Sequence, residues 1–221
     1  MAPAKRNYKN DFPRLIERLE NMIVIGRLQP RERLVEADLA SLFNVSRAWV
    51  RDALKILETK GLVKMIPFRG ATVAQLSEVE IEEIVQIRVV LERLCNRLAL
   101  QNFRPDHAEQ LHRLANRVNA AYEKNSFSEM LAANAEFHHL IATIAGNQML
   151  IGMLQQLRSR FHLFNTFAWS SPDLVRQIIR EHEQYIEAFE KSDINTLNRL
   201  AESHISYSKD LYLKQLKGQL K

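Results

Sequence analysis

Asn44-Val45-Ser46-Arg47-Ala48-Trp49-Val50-Arg51-Asp52-Ala53-Leu54 is the stretch whose reading decides the fold. It reads as a tight turn followed by the start of a helix. Ser46 is a strong N-cap residue, because its hydroxyl can accept from the free N–H groups of the first turn. Val50, Ala53, Leu54 and Leu57 recur at helical spacing and predict a buried stripe. Arg47 and Arg51 stand four apart and share one face a turn long, with Ala48 and Trp49 between them. A helix buried on one side, with two arginines near its N-terminus, meets the physical requirements for reading a DNA major groove. A solvated amphipathic helix with ordinary surface arginines has the same pattern, so the neighbouring sequence has to separate the two.

Outward from this helix, the order of elements is specific. Leu15, Ile16, Leu19, Met22 and Ile23 predict a helix over 12–26, preceded by a loose basic arm at 1–9. Glu36–Phe43 predicts a short second helix with Leu39, Ala40 and Leu42 inward. The helix opened by Ser46 runs to about Lys60, where Gly61 stops it. Leu62–Ile66 and Ala71–Ala74 have strand character around the turn Pro67-Phe68-Arg69-Gly70. Three helices followed by a two-stranded hairpin make a winged helix-turn-helix. Charge agrees with that reading: residues 1–76 hold 14 Lys+Arg against 8 Asp+Glu, whereas the remainder holds 17 against 18. The basic excess is confined to the first third, which predicts a polyanionic partner for that part alone.

Ser77-Glu78-Val79-Glu80 is a capping-box sequence and predicts the start of a second domain. No strand signal follows it. Helices are expected at about 78–101, 106–124, 127–145, 148–168, 172–191 and 194–217. Ser126 with Glu129, Ser171 with Pro172, and Asp193 mark the starts of the third, fifth and sixth. The fold class is therefore mainly α, with a winged helix-turn-helix at 1–76 and a six-helix antiparallel bundle at 77–221. Cys95 is the single cysteine, which fits a reducing cytoplasm and a small buried hydrophobe. No apolar run follows Lys5, Arg6 and Lys9, so no signal peptide is expected. Residues 139–157 carry no Asp, Glu, Lys or Arg. Gly146-Asn147-Gln148 interrupts that stretch, so it reads as parts of two buried helices and not as a membrane span.

Several segments together resemble one family. They are Ile25-Gly26-Arg27-Leu28-Gln29-Pro30, Leu34–Ala40, Val45-Ser46-Arg47, Val50-Arg51-Asp52-Ala53-Leu54, Leu57-Glu58, Gly61-Leu62-Val63 and Arg69-Gly70. Their pattern resembles the GntR family of bacterial transcription regulators. Arg31 departs from it, since glycine is usual after Pro30, and that turn must then use a non-glycine conformation. The helical part resembles the FCD effector domain of the FadR branch, through Arg88-x-x-x-Glu92, Phe137-His138, Gly146-Asn147, Glu181-His182 and His204. Six helices place it nearest the VanR-like subgroup. The resemblance implies a bacterial cytoplasmic regulator, commonly a repressor. It would bind palindromic double-stranded operator DNA as a homodimer, with no enzymatic activity and no membrane partner. Carried over by position, Ser46, Arg47, Trp49 and Arg51 would touch DNA from the recognition helix, and Arg69 and Gly70 from the wing tip. Arg33 and Lys64 are weaker candidates for phosphate contacts.

Asn134 and His138 share one helix face, while His182 and His204 fall on two later helices. Spacing alone does not separate a metal site from satisfied core histidines. The resemblance implies a divalent metal (zinc, nickel, manganese or iron) held by Asn134, His138, His182 and His204. The family usually has Asp at position 134. Asn supplies a neutral oxygen, which leaves a bound ion less neutralised and favours an anionic effector. Small carboxylates are the common effectors of this branch, and Arg88 is the residue expected to meet one. An internal ion pair between Arg88 and Glu92 is the plainer reading of that spacing. Two other functions fit parts of the pattern: a regulator that senses the metal itself, or a metal-dependent hydrolase or lyase. No H-E-x-x-H pattern or nucleophile–base pair supports the enzyme.

Overall fold

The computed structural model describes residues 8–67, 70–168 and 171–216, with side chains described except at 8–10, 161–168 and 215–216. The chain divides into two compact units, Met1–Gln75 and Leu76–Lys221.

In the first unit the elements run α1 (Tyr8–Val24), β1 (Arg33–Leu34), α2 (Glu36–Phe43), α3 (Arg47–Thr59), β2 (Val63–Ile66) and β3 (Gly70–Val73). Helix α3 is the centre of this unit. Its Val50, Ala53, Leu54 and Leu57 are buried and pack with Leu15, Leu19 and Ile23 of α1 and Leu39 of α2 into one small core. Burying each large aliphatic side chain contributes about 1.5–3 kcal/mol. Asn44 ends α2 in the left-handed region at φ 52°, and its N–H is bonded to the carbonyls of Ala40 and Ser41. A short polar side chain tolerates that conformation, which explains the sharp turn into α3.

Three expectations for this unit are corrected. Helix α1 begins at Tyr8 and runs through Pro13, so residues 8 and 9 are helical and not part of an arm. Pro13 lies in the second turn, where it forgoes one i→i−4 backbone bond. Leu42 is 60% exposed and Phe43 takes its place in the core, covered by the Arg18 guanidinium 4.7 Å from the ring centre. The sheet has three strands in the order β1-β3-β2, all antiparallel neighbours. The extra strand is only Arg33–Leu34, too short to show any alternation in sequence.

The second unit contains α4 (Glu78–Asn102), α5 (Pro105–Glu123), α6 (Phe127–Ala145), α7 (Gln148–Ala168), α8 (Pro172–Glu190) and α9 (Ile194–Leu216). These six match the predicted spans to within a few residues. The Ser77 capping box is formed: the Glu80 N–H donates to Ser77 Oγ, and the Ser77 N–H donates to Glu80 Oε2. Asp193 Oδ1 accepts from the N–H groups of Asn195 and Thr196 at the start of α9. The expected box at Ser126 is absent, because Ser126 makes no side-chain cap bond. The bundle core is built on Leu111, Phe137, Leu154, Ile186, Phe189 and Leu197, all almost fully buried. Among the described residues no helix is long and apolar enough to cross a membrane.

Candidate DNA-binding surface and a polar site inside the bundle

Ser46 caps α3 by accepting from the Trp49 N–H at 3.2 Å. That bond fixes the direction in which the first turn presents its side chains. Arg47 is exposed there. Arg51 is exposed too, but its Nε–Nη2 edge is held by Glu36 of α2, at 2.8 and 2.6 Å. This bidentate pair braces the two helices of the helix-turn-helix, so that edge approaches a base only by exchanging a carboxylate for it. Hydrogen bonding from Arg51 also holds the Glu36 carboxyl below its usual range. Trp49 packs edge-on against Phe12 of α1, ring centres 5.9 Å apart, so it folds back on its own unit. Gly70 opens β3 at φ +89°, a conformation that a residue with a Cβ rarely adopts. Arg69 lies outside the described residues. Arg33 on β1 and Lys64 on β2 are exposed.

Inside the second unit, His138 of α6 meets His182 of α8 and His204 of α9, and Asn134 lies one turn before His138 on α6. The ring centres of His138 lie 5.5 Å from His182 and 5.0 Å from His204, and those of His182 and His204 are 6.4 Å apart. All four residues are at least nine-tenths buried. Asn134 Oδ1, His138 Nε2 and both ring nitrogens of His182 have no hydrogen-bond partner among the described residues. Each such buried group costs about 1–3 kcal/mol unless something meets it. Phe137 stacks on His182 at 4.1 Å and sets the plane of that ring. Glu181 Oε2 bonds His204 Nδ1 at 2.8 Å. A carboxylate only accepts, so Nδ1 carries the proton of this bond. Gln177 and Ser203 donate to the other Glu181 oxygen. Burial opposes the Glu181 charge, but the His204, Gln177 and Ser203 bonds prevail and hold its carboxyl below the usual range.

Burial holds His138 and His182 neutral. His182 is pushed down to about 3 by burial and then by His204. His138 is held well below its usual value by burial, then by His204, Arg158, His182 and Arg88. Neutral imidazoles with free lone pairs beside an amide oxygen form a donor set suited to a divalent ion. The rings are slightly wider than an ion would hold them: on a tetrahedral ion two imidazole centres lie about 5 Å apart. Among the described residues no three His, Cys, Asp or Glu side chains already stand close enough to hold one. The His182–His204 gap would have to shorten. With that adjustment the residues fit a metal, since an ion would meet His138 Nε2 and one ring nitrogen of His182, two of the unpartnered atoms, at once.

Next to this cluster lies a second polar group. Arg88 and Glu92 sit on α4, and both are buried. The Arg88 Nε donates to Glu92 Oε1 at 3.3 Å. Arg158 of α7 adds three bonds to the same carboxylate at 2.8–3.1 Å. Burial disfavours the Glu92 charge, but the Arg158 and Arg88 charges overcome it and hold its carboxyl below the usual range. Tyr185 lies within reach of this group, and its phenol is pushed well up by burial and by Glu92. Sequence reading missed Arg158 and Glu181 as site residues. Arg158 is 66 positions from Glu92, and no local spacing links them. Among the described residues, solvent-open clefts lie away from this group. One of about 660 Å³ is lined by Phe103, Arg104, His107, Leu140 and Thr143, and none of these has an unpartnered buried atom.

A capped, arginine-bearing α3 on a winged helix-turn-helix, together with a helical bundle that encloses a polar site, defines a class: transcription regulators that bind DNA through one unit and a small molecule through the other. Comparison with known proteins makes this specific. Residues 13–73 match the bacterial regulatory proteins of the gntR family, and residues 83–207 match the FCD domain. The chain belongs to the GntR family of DNA-binding transcriptional regulators, with an FCD domain as its second unit, and these proteins are not enzymes. It is 26% identical over 190 residues to the HTH-type transcriptional regulator YdhC of Bacillus subtilis, covering 86% of this chain and 85% of that one. It is 27% identical over 177 residues to McbR of Escherichia coli, covering 79% and 80%. The solved structure of E. coli McbR/YncC shares the fold with a TM-score of 0.81 at 22% identity, over 94% of this chain and 99% of that one.

Proposed function

We propose that this regulator binds a palindromic operator as a homodimer and represses transcription until a small carboxylate enters the bundle. A divalent ion at Asn134, His138, His182 and His204 would complete the effector site. The observation that carries the effector reading is the set of unpartnered buried atoms on Asn134, His138 and His182 beside the Arg88–Glu92–Arg158 group. Unpartnered buried polar atoms are few in a folded interior, and here three residues of the proposed site carry four of them. An ion held there would supply Lewis-acid attraction for an anion. The chain's own residues supply the rest: Glu181 orients His204, Phe137 orients His182, and the guanidiniums of Arg88 and Arg158 offer a planar fork for a carboxylate.

The dimer reading is supported by exposed apolar side chains on two packed helices of the second unit. Ile87 and Val90 on α4 are 54% and 64% exposed, and Met149 and Met153 on α7 are 72% and 47% exposed. One α3 reads only a few base pairs, so two are needed for useful specificity. In this reading Ser46, Arg47 and Gly70 would touch DNA, and Arg69 would complete the wing. The Nε–Nη2 edge of Arg51 joins them only if DNA displaces Glu36. Effector binding would bias a two-state dimer in which one state matches the half-site spacing, a coupling of about 1–3 kcal/mol.

Genome-wide recovery of bound DNA, followed by gel shifts on the recovered site, tests this. The expected result is a palindrome bound by two chains, released by a carboxylate in the presence of the metal. Release by chelator alone would make the metal the signal. Binding of one chain to an asymmetric site would overturn the dimer reading.

A further inference from the structure

We infer that Glu36 of α2 is a positioning residue for base readout: it fixes the plane of the Arg51 guanidinium so that the open Nη1–Nη2 edge meets a guanine. This rests on the reading of α3 as the recognition helix and names the base that Arg51 takes. A guanidinium has five N–H donors in a fixed planar fork. Glu36 closes one edge of it, accepting from Nε at 2.8 Å and from Nη2 at 2.6 Å. Among the described residues these are the only hydrogen bonds of the Arg51 side chain. Both N–H groups of Nη1 and the second N–H of Nη2 are left over. The Arg51 side chain is 55% exposed and that of Glu36 20%. The acid is therefore the inner member of the pair, and the guanidinium stands outside it.

Two parallel donors on one planar edge match the O6 and N7 acceptors of guanine. An arginine free to rotate on a solvated helix face meets phosphate oxygens as readily as a base, and phosphate contacts carry no sequence information. A guanidinium already held in one plane has less freedom to lose on contact and offers its donors in one direction. A brace between α2 and α3 needs only opposite charges, which a lysine supplies, whereas the two-bond pair also sets orientation. The rest of the helix face gives the contrast. Arg47, Arg51 and Lys55 are exposed at four-residue spacing on α3. Lys55 reaches Asp52 through a single nitrogen at 3.4 Å, so nothing fixes a plane there. The hydrogen bond from Arg51, and then the charges of Arg51, Arg47 and Lys55, outweigh burial and hold the Glu36 carboxyl below its usual range. An ionised carboxylate among these cations also reduces their pull on phosphates, so Glu36 weakens sequence-independent binding while it organises the base contact.

The full chain and its variants R51A, E36Q and E36A each select binding sites from a pool of duplexes with a randomised core. Gel shifts then compare the wild-type consensus, its single-base changes and a random duplex at several salt concentrations, with melts by circular dichroism as the folding control. R51A should lose a guanine preference at a defined position of the bound sequence, which identifies the base. The wild type should prefer guanine there by at least about tenfold. E36Q, which keeps the side-chain size, and E36A should bring that preference below about threefold and leave the other positions unchanged. Both should bind the random duplex more tightly than wild type, with an advantage that shrinks as salt rises. An unchanged guanine preference in the Glu36 variants, or a loss spread evenly over all positions, would overturn the inference and leave α3 as the recognition helix. If R51A loses no base preference, the inference falls together with the Arg51 contact on which it rests.

Discussion

Replacing Glu92 with leucine should unfold the bundle more readily than any change on its surface. The Glu92 carboxylate accepts from two buried guanidiniums, at 3.3 Å from Arg88 and at 2.8–3.1 Å from Arg158. Its side chain is 10% exposed, and those of Arg88 and Arg158 are 7% and 13% exposed. Removing one partner of a buried pair costs about 3–5 kcal/mol, because the remaining charge has neither water nor a counter-ion. Here one deletion strands two cations, so the upper part of that range applies. For a unit the size of Leu76–Lys221, each kcal/mol lowers Tm by about 2–4 °C, giving a fall of about 10–15 °C. The double variant Glu92→Leu/Arg158→Met removes a cation along with the acid and should recover a good part of the loss. Thermal melts followed by circular dichroism at neutral pH, on wild type, both single variants and the double, measure the coupling directly. If Glu92→Leu melts within about 2 °C of wild type, or the two single losses simply add in the double variant, the triad is not the buried charge network described above.

Three further outcomes follow from the geometry. Arg31 holds φ 68° in the turn before β1, so Arg31→Gly should raise the stability of the DNA-binding unit by about 0.5 kcal/mol, the strain relieved minus the entropy added to the unfolded chain; a denaturant midpoint that falls would contradict the strain. Arg47→Ala should weaken operator binding by at least about tenfold with an unchanged melt, from the loss of a base contact, whereas Arg51→Ala should also lower the melt because its bond to Glu36 braces α2 on α3; gel shifts and melts on the two variants separate these roles. Metal-free protein should lose stability as pH falls below about 6.5, where unfolded histidine begins to take up protons while His138 and His182 resist them. Glu92, held below its usual range, adds a second loss below about 4.3, the unfolded carboxylate value; melts that stay flat from pH 8 to 5 would refute the buried neutral imidazoles.

How much of this was legible in the sequence depended on the range of the signal. Helix spans in the bundle were readable because each repeats its apolar positions every three or four residues, and two of them begin at caps that form, Ser77 and Asp193. The α3 stripe Val50, Ala53, Leu54 and Leu57 was readable for the same reason. Failures came where two signals of equal strength competed locally. Leu42 and Phe43 are adjacent apolar residues at the end of a short helix, and only tertiary packing decides that the ring of Phe43 goes in. Ser126 stands where a cap should be, yet its backbone, at φ −91° and ψ 82°, lies away from the extended geometry that brings a hydroxyl onto the first-turn N–H groups. Strand β1 exists because β3 offers it an edge, which no property of two residues could announce.

The interior site shows the same division more sharply. His138, His182 and His204 come together from three helices, and the Arg88–Glu92 ion pair expected from their spacing is present. Periodicity could place each of these on an inward face, because each face is a local property of one helix. The two residues that complete the site could not be found in that way. Arg158 meets Glu92 across 66 positions, and Glu181 meets His204 across 23. What such a search lacks is the charge balance of the whole interior. An inward Arg on α7 needs an acid, and the only inward acid on α4 already has an arginine four residues away. That one excess cation was visible in the sequence only once both helices were known to face the same interior. The bundle can hold it because Glu92 presents two oxygens and four lone-pair directions, enough to accept from both guanidiniums. In the proposed function, a carboxylate arriving at this end would compete with Glu92 for Arg158, whose guanidinium is already held in place.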